Sequence, residues 1–196
     1  MKRAFDFAAS LLGLIILSPL FLIIAVLIKL DSKGPVVFKQ ERVGKDGELF
    51  TIYKFRTMVE NAENMGAGYR VKNKDPRITN IGNFLRKTSL DELPQLINIV
   101  KGEISIVGPR PTLEYQVKEY NEYQWQRLKV KPGVTGLAQI NGRQSLTWKG
   151  KIDYDVQYVN NRSFLLDLKI IFKTFFILFD TSTTHKEELK KEDEEL

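Results

Sequence analysis

Residues 14–24 read LIILSPLFLII, an apolar run suited to a membrane helix except for the proline at its centre. Proline has no N–H to donate and its ring clashes with the preceding turn, so Pro19 breaks the helix where it stands. A freed carbonyl is costly in lipid unless something covers it, and the hydroxyl of Ser18 is placed to do so. Outward from this break, residues 7–28 form 22 consecutive positions without a charge. At about 1.5 Å per residue, a straight helix of that length just crosses a hydrocarbon core of about 30 Å. The flanks are Lys2 and Arg3 on one side and Lys29 and Lys33 on the other, so the positive-inside rule gives no direction. KLDSKGP follows directly, without the small-residue site at which a signal peptide is cleaved. On these residues alone, a spanning helix and a bent helix that returns to its own side both remain open.

Charged residues make up 28% of the 196-residue chain, so most of it is expected to fold in water, as one domain that forms a single unit with the N-terminal helix. There is no cysteine, which excludes disulfides, thiolate zinc sites and a cysteine nucleophile. The one histidine, His185, lies in the charged tail HKEELKKEDEEL, so acid–base work falls to carboxylates, Lys or Tyr. That tail is expected to be disordered or a solvated helix. The net charge of +6 is concentrated: residues 33–90 hold 12 Lys/Arg against 6 Asp/Glu, which implies an anionic partner.

Asp46-Gly47 between β-rich runs predicts a hairpin in VVFKQERVGKDGELFTIYKF. Residues 58–77 begin helix-like and become a Gly- and Lys-rich loop of the kind that touches ligands. Leu93, Leu96, Ile97 and Val100 recur at helical spacing, with Lys101-Gly102 as the stop. ISIV reads as a short buried strand and GPRP as a stiff turn. Residues 112–129 read as an amphipathic helix, and KPGVTGLAQINGR as turn, strand and turn. SFLLDLKIIFKTFFILF is apolar but interrupted by Asp167, Lys169 and Lys173, which suits an interfacial helix over residues 163–179.

The acidic pair Asp91-Glu92 in TSLDELPQ carries the most chemical information. As an isolated motif, Ser89 and Glu92 spell a capping box, with Asp91 complementing the helix dipole. Pro94 favours the first helical position, which would instead leave the pair in the preceding turn. In either register Asp91 sits where a carboxylate stays ionised and phosphate is welcome, as a phosphoryl-accepting nucleophile requires. Lys54, Arg56, Arg86 and Arg110 lie in short turns around it, and two prolines fix the backbone of Arg110. Asp75, Arg77 and Asp155 have a structural salt bridge as their default role. There is no P-loop, GxGxxG or HExxH, although one carboxylate with substrate phosphates suffices for magnesium.

The stretches KRAFDF, LSPLF, DSKGPVVFKQERVGKDGELFTIYKFRTM, DPRITNIGNFLRKTSLDELPQLINIVKGEISIVGPRP, KPGVTGLAQINGR and YDVQYVNNRSFLLDLKIIFKT together resemble the bacterial sugar transferases, the monotopic phosphoglycosyl transferases. The resemblance runs from Lys2 to about Thr174. It implies an α+β, helix-rich monotopic membrane protein with a re-entrant helix bent at Ser18-Pro19, a small hairpin and interfacial helices. Its implied parts are a membrane helix at 1–30, a catalytic unit at 31–180 on the cytoplasmic face of the bacterial inner membrane, and a tail at 181–196. Larger relatives carry further N-terminal membrane helices, and this chain matches the minimal catalytic unit. The implied reaction moves sugar 1-phosphate from a UDP-sugar to polyprenyl phosphate, releasing UMP. Asp91 would be the nucleophile and a ligand of Mg2+, and Glu92 would orient or deprotonate the acceptor. Lys54, Arg56, Arg86 and Arg110 would bind phosphates or nucleotide. Asp155 falls in the D-V-x-Y-V stretch, with Tyr154 before it where leucine is usual. No nucleic acid is expected as partner, membrane lipids are, and monomer and homodimer both stay open. The competing classes are an Asp-nucleophile phosphatase, which would carry a D-x-D pair absent near Asp91, a nucleic-acid binder using the basic segment, and an anion-binding membrane scaffold. The sugar and the glycan it enters are not legible.

Overall fold

The break at Pro19 divides the N-terminal hydrophobic segment into helices α1 (Lys2–Ile16) and α2 (Ser18–Asp31), bent by 61° in the computed structural model. The structure describes residues 1–65, 75–142 and 145–179. Pro19 cannot donate to the carbonyl of Ile15, four residues back, and the Ser18 hydroxyl donates to that same oxygen at 2.8 Å. Among the described residues no single helix is long and apolar enough to cross a membrane.

Both ends of the bent pair are bonded into one body. At the start, Lys2 Nζ donates to Asp167 (2.7 Å) and to the carbonyl of Val107 (3.1 Å), and Asp6 accepts from the Ser105 hydroxyl at 2.7 Å. Arg3 donates to the carbonyls of Ile99 and Val100. At the far end, Asp31 accepts from the backbone N–H of Ile81 at 2.9 Å, and Arg56 donates to the carbonyls of Ser32 and Lys33. Asp6 and Ser10 are the buried residues of α1, one turn apart on its inner face. Leu12 (57% exposed) and Ile16 (64%) face outward, so α1 turns its polar stripe inward and its apolar one out. A surface helix of a water-soluble protein has the reverse arrangement.

Strands β1 (Val37–Val43) and β2 (Leu49–Phe55) form the expected antiparallel hairpin, in register from Val37 opposite Phe55 to Val43 opposite Leu49. Asp46 (φ 56°) and Gly47 (φ 87°) both take the left-handed conformation that a turn of this composition supplies. The inner face of α2 packs on this hairpin and on α3 (Asn80–Thr88), around Ile24, Ile28, Phe55 and Leu85. Helix α4 (Gln95–Lys101) follows the predicted periodicity and stops at Gly102, whose φ is 86°.

A second sheet pairs β3 (Ser105–Val107) in parallel with β4 (Gly133–Thr135). Gly108, just past β3, lies so close to the start of β4 that a Cβ on Gly133 would stand 2.1 Å from the nitrogen of Gly108. That contact fixes the GPRP turn. The segment predicted as one amphipathic helix over 112–129 is instead α5 (Glu114–Lys118), α6 (Glu122–Trp125) and a 3-10 turn, Gln126–Lys129. Asn121 starts a new helix by accepting from the N–H of Gln124, whose side chain accepts from the N–H of Asn121 in return. After β4, the predicted second turn is a short helix, α7 (Leu137–Ile140). Helices α8 (Trp148–Asn161) and α9 (Phe164–Phe179) close the body around Val107, Tyr158 and Ile170. Helix α9 occupies the expected 163–179 span and exposes Leu165 and Phe172. The Gly- and Lys-rich part of the predicted loop, residues 66–74, and the tail at 181–196 lie outside the described residues.

Candidate active site

Asp91 and Glu92 sit in a 3-10 turn, Leu90–Glu92, between α3 and α4. Ser89 closes α3 in the left-handed conformation (φ 56°), and its side chain caps nothing, so the capping box spelled by Ser89 and Glu92 does not form. Pro94 instead caps α4, which begins at Gln95 and leaves the acidic pair in the turn before it. Glu92 turns across the fold to two cations: one oxygen accepts from Lys54 Nζ at 2.7 Å and from Arg110 Nη2 at 2.6 Å. Local sequence favours a cap, and two tertiary charges outweigh it.

Burial alone would lift the Glu92 carboxyl, but the Arg110 guanidinium and the Lys54 ammonium hold it well below the usual carboxylate range. Burial also pulls the Lys54 ammonium down, with Glu92 opposing. Asp91 differs from its neighbour. It forms no hydrogen bond or ion pair among the described residues. Burial pushes its carboxyl upward, and Lys54, Arg110 and Arg86 pull it back. Desolvation thus dominates at Asp91. It is a partly desolvated carboxylate, without a hydrogen-bond partner among the described residues, beside three cations that would attract an anion.

These groups line a cavity of about 1150 Å3, large enough for a drug-sized or larger ligand. Arg86 is held over it by donating its Nε to the Thr57 hydroxyl at 2.8 Å. Lys54, Arg86, Arg110, Asp91 and Glu92 are therefore brought together. Arg56 borders the same cavity, but its guanidinium is engaged with the carbonyls that end α2. Asp75 and Arg77 form a buried ion pair at 2.7 Å, and Arg77 also donates to the carbonyls of Ala62 and Met65. Ser18 and Pro19 are at the helix break, remote from this chemistry in role.

Asp155 lies on α8, 2% exposed, at the other end of the cavity. It pairs at 2.5 Å with Arg127, which is 3% exposed and lies across the rings of Tyr120 and Trp148. Arg127 also donates to the backbone carbonyl of Arg110 at 3.0 Å, which ties the two ends of the site together. Burial pushes the Asp155 carboxyl up to about 6 against the pull of Arg127. Sequence reasoning missed Arg127 and Gln139. No pattern pointed to Arg127, 28 residues from its partner. Gln139, an amide between Ala138 and Ile140 in an otherwise apolar turn, was a legible signal.

Among the described residues no group of three or more His, Cys, Asp or Glu could hold a metal ion. Asp91 alone offers an uncommitted carboxylate beside the cations, which fits magnesium only in the mode where substrate phosphates supply most ligands.

The bacterial sugar transferase family matches residues 1–181. The chain belongs to this family. Membership makes it an enzyme, a phosphoglycosyl transferase. It is 46% identical over 171 residues to the sugar transferase EpsL of Bacillus subtilis (strain 168), covering 87% of this chain and 83% of that one. The exopolysaccharide production protein ExoY of Sinorhizobium fredii (strain NBRC 101917 / NGR234) is 43% identical over 187 residues, covering 88% and 83%. The UDP-glucose:undecaprenyl-phosphate glucose-1-phosphate transferase of Escherichia coli (strain K12) is 43% identical over 189 residues, covering 90% of this chain and 39% of that relative.

Proposed function

We propose that this sugar transferase moves a sugar 1-phosphate from a UDP-sugar to undecaprenyl phosphate, at the inner-membrane surface, as the membrane step of exopolysaccharide, capsule or lipopolysaccharide assembly. The observation that carries the chemistry is the contrast within the acidic pair: Glu92 is consumed by Lys54 and Arg110, while Asp91 beside it, among the described residues, keeps both oxygens uncommitted. An Asp91 oxygen attacks the β-phosphorus of the donor. The new bond joins aspartyl oxygen to phosphorus, the bond to the UMP oxygen breaks, and UMP leaves with that electron pair. A phosphate oxygen of the acceptor then attacks the same phosphorus and regenerates the carboxylate. Lys54, Arg110 and Arg86 bind the diphosphate. Glu92, held strongly acidic, orients those cations and is a poor base. Asp91 and the substrate phosphates would hold magnesium, which would supply further neutralisation of the diphosphate charge.

The attachment of both helix ends to one body supports a re-entrant rather than a spanning segment. A spanning helix would separate its ends across the bilayer. Each outward leucine, isoleucine or phenylalanine of α1, α2 and α9 gains about 1.5–3 kcal/mol on leaving water fully, which supports insertion into one leaflet. The names of the E. coli relative and of ExoY support the acceptor and the pathway class.

The test is intact mass of the detergent-solubilised protein after mixing with a panel of UDP-sugars and magnesium, without acceptor. A gain of one sugar phosphate, absent in Asp91→Asn, is expected. UMP release on adding undecaprenyl phosphate without any adduct would replace the covalent scheme with direct transfer. Release of inorganic phosphate without lipid product would make the protein a phosphatase.

A further inference from the structure

The cavity has a second end whose polar atoms the phosphate chemistry does not use. Both side-chain atoms of Gln139, Oε1 and Nε2, are removed from water and have no hydrogen-bond partner among the described residues. So are Oδ1 of Asp155 and the hydroxyl of Thr112. All three residues line the cavity that holds Asp91. A buried polar group left unpaired costs about 1–3 kcal/mol, so several around one cavity mark a place where a ligand supplies the missing partners.

Their position relative to the phosphates follows from Arg110. Its guanidinium meets Glu92, and its carbonyl meets Arg127, whose Nη2 also pairs with Asp155. The cationic end and this end are thus separated by about one arginine side chain. The charge here is set by the Arg127–Asp155 pair together with Lys151, which also lines the cavity, and the Asp155 carboxylate disfavours a phosphate beside it. What remains is one amide donor group, two acceptors on different elements, and a hydroxyl that does either.

We propose that Gln139, with Oδ1 of Asp155 and the hydroxyl of Thr112, forms the subsite that recognises the hexose of the donor. The count of donors favours the hexose over the nucleobase. A uracil joined to ribose has a single N–H and satisfies one buried acceptor at most. A hexose presents several hydroxyls in different directions, each able to donate to Oε1 or Oδ1 and to accept from Nε2. Gly136 makes room for the amide: a Cβ there would lie 2.9 Å from Gln139 Oε1 and 2.3 Å from the carbonyl of Gly108. This assignment rests on the UDP-sugar reading of the site.

The test compares dissociation constants of UDP and of the UDP-sugars in the same panel, by calorimetry in detergent, for the wild-type, Gln139→Ala and Gln139→Glu subsites, each in a chain that also carries Asp91→Asn so that the donor binds without reacting. With the wild-type subsite the preferred UDP-sugar binds more tightly than UDP. Gln139→Ala is expected to weaken that UDP-sugar about tenfold, equivalent to one lost hydrogen bond, with the affinity for UDP unchanged. The gap between sugars epimeric at one hydroxyl should shrink in parallel. Gln139→Glu, which keeps the acceptor and loses the donor, should restore part of the binding of some hydroxyl configurations and not others. Equal weakening of UDP and UDP-sugar would assign the subsite to the nucleoside and overturn the proposal, as would no change in either. Retained UDP affinity reports that the variants are folded. Failure of the wild type to form product with a UDP-sugar that the Asp91→Asn chain binds would refute the transferase scheme while leaving the subsite measurable. Failure to bind any UDP-sugar would remove both.

Discussion

Replacing Asp155 by asparagine sets burial against ion pairing at one buried group. The carboxyl is pushed from an ordinary 3.8 to about 6 in the fold, by desolvation that outweighs Arg127. Between those two values the folded protein holds a proton that the unfolded chain has released. Stability therefore falls as pH rises through that window, the opposite of a salt-bridged carboxylate whose value is depressed. At about 1.4 kcal/mol per pH unit of displacement, the wild type loses about 1 kcal/mol from this group between pH 5 and 7, and about 2 kcal/mol between pH 4 and 7. An asparagine side chain has no such dependence, so the stability difference between wild type and Asp155→Asn should move by those amounts in favour of the wild type on acidification. For a chain of this size 1 kcal/mol corresponds to about 2–4 °C in Tm. The assay is thermal unfolding of both proteins in the same detergent across pH 4–7, reading the difference between the two midpoints so that every other titrating group cancels. A difference that stays flat, or that turns against the wild type on acidification, would refute the reasoning and show that the 2.5 Å contact with Arg127 outweighs the loss of water.

Glu92→Gln should lower turnover at least tenfold by releasing Lys54 and Arg110 from fixed positions. The same change should also lower stability, by more than the ~1 kcal/mol of a surface pair, because Lys54 is only 20% exposed and loses its counter-ion, while Arg110 is 52% exposed and can turn to solvent; parallel turnover and unfolding measurements separate the two effects. Pro19→Ala should restore the N–H that Ile15 lacks and straighten the break of 61°. Single cysteines placed at residues 12 and 30 of this cysteine-free chain, labelled from one side of inverted vesicles, are expected to report a changed topology. Unchanged labelling would locate the bend in the tethers at the two helix ends.

The features legible in the sequence were those that a single residue dictates. Pro19 specified the break, Gly47 and Asp46 the hairpin turn, and Gly102 the stop of α4, whereas Pro94 left two registers open for the acidic pair. What stayed hidden depends on partners far along the chain. Nothing near Glu92 shows that it will leave its local cap for Lys54, 38 residues earlier, and Arg110, 18 later. The run at 112–129 has helical periodicity, but the reciprocal bonds of Asn121 and Gln124 divide it and turn Arg127 inward. Arg56 has the same kind of charge and setting as Lys54. Only the position of the end of α2 makes it a helix cap. The parallel pairing of β3 with β4 depends on glycine contacts between segments that the sequence separates.

The tethering of the first helix also has a consequence in time. Its polar residues find their partners late: Arg3 bonds a residue 96 positions on, Asp6 one 99 positions on, and Lys2 one 165 positions on. At synthesis rates of about 5–20 residues per second, Lys2 waits about 8–33 s for Asp167 to be made. During that interval the start of α1 lacks the partners that later hold it, although the hairpin and α3 that receive α2 have already been made. Whatever holds it then, bilayer or chaperone, must let it hinge until the last helix arrives, so correct assembly is a race between premature insertion and completion of the body.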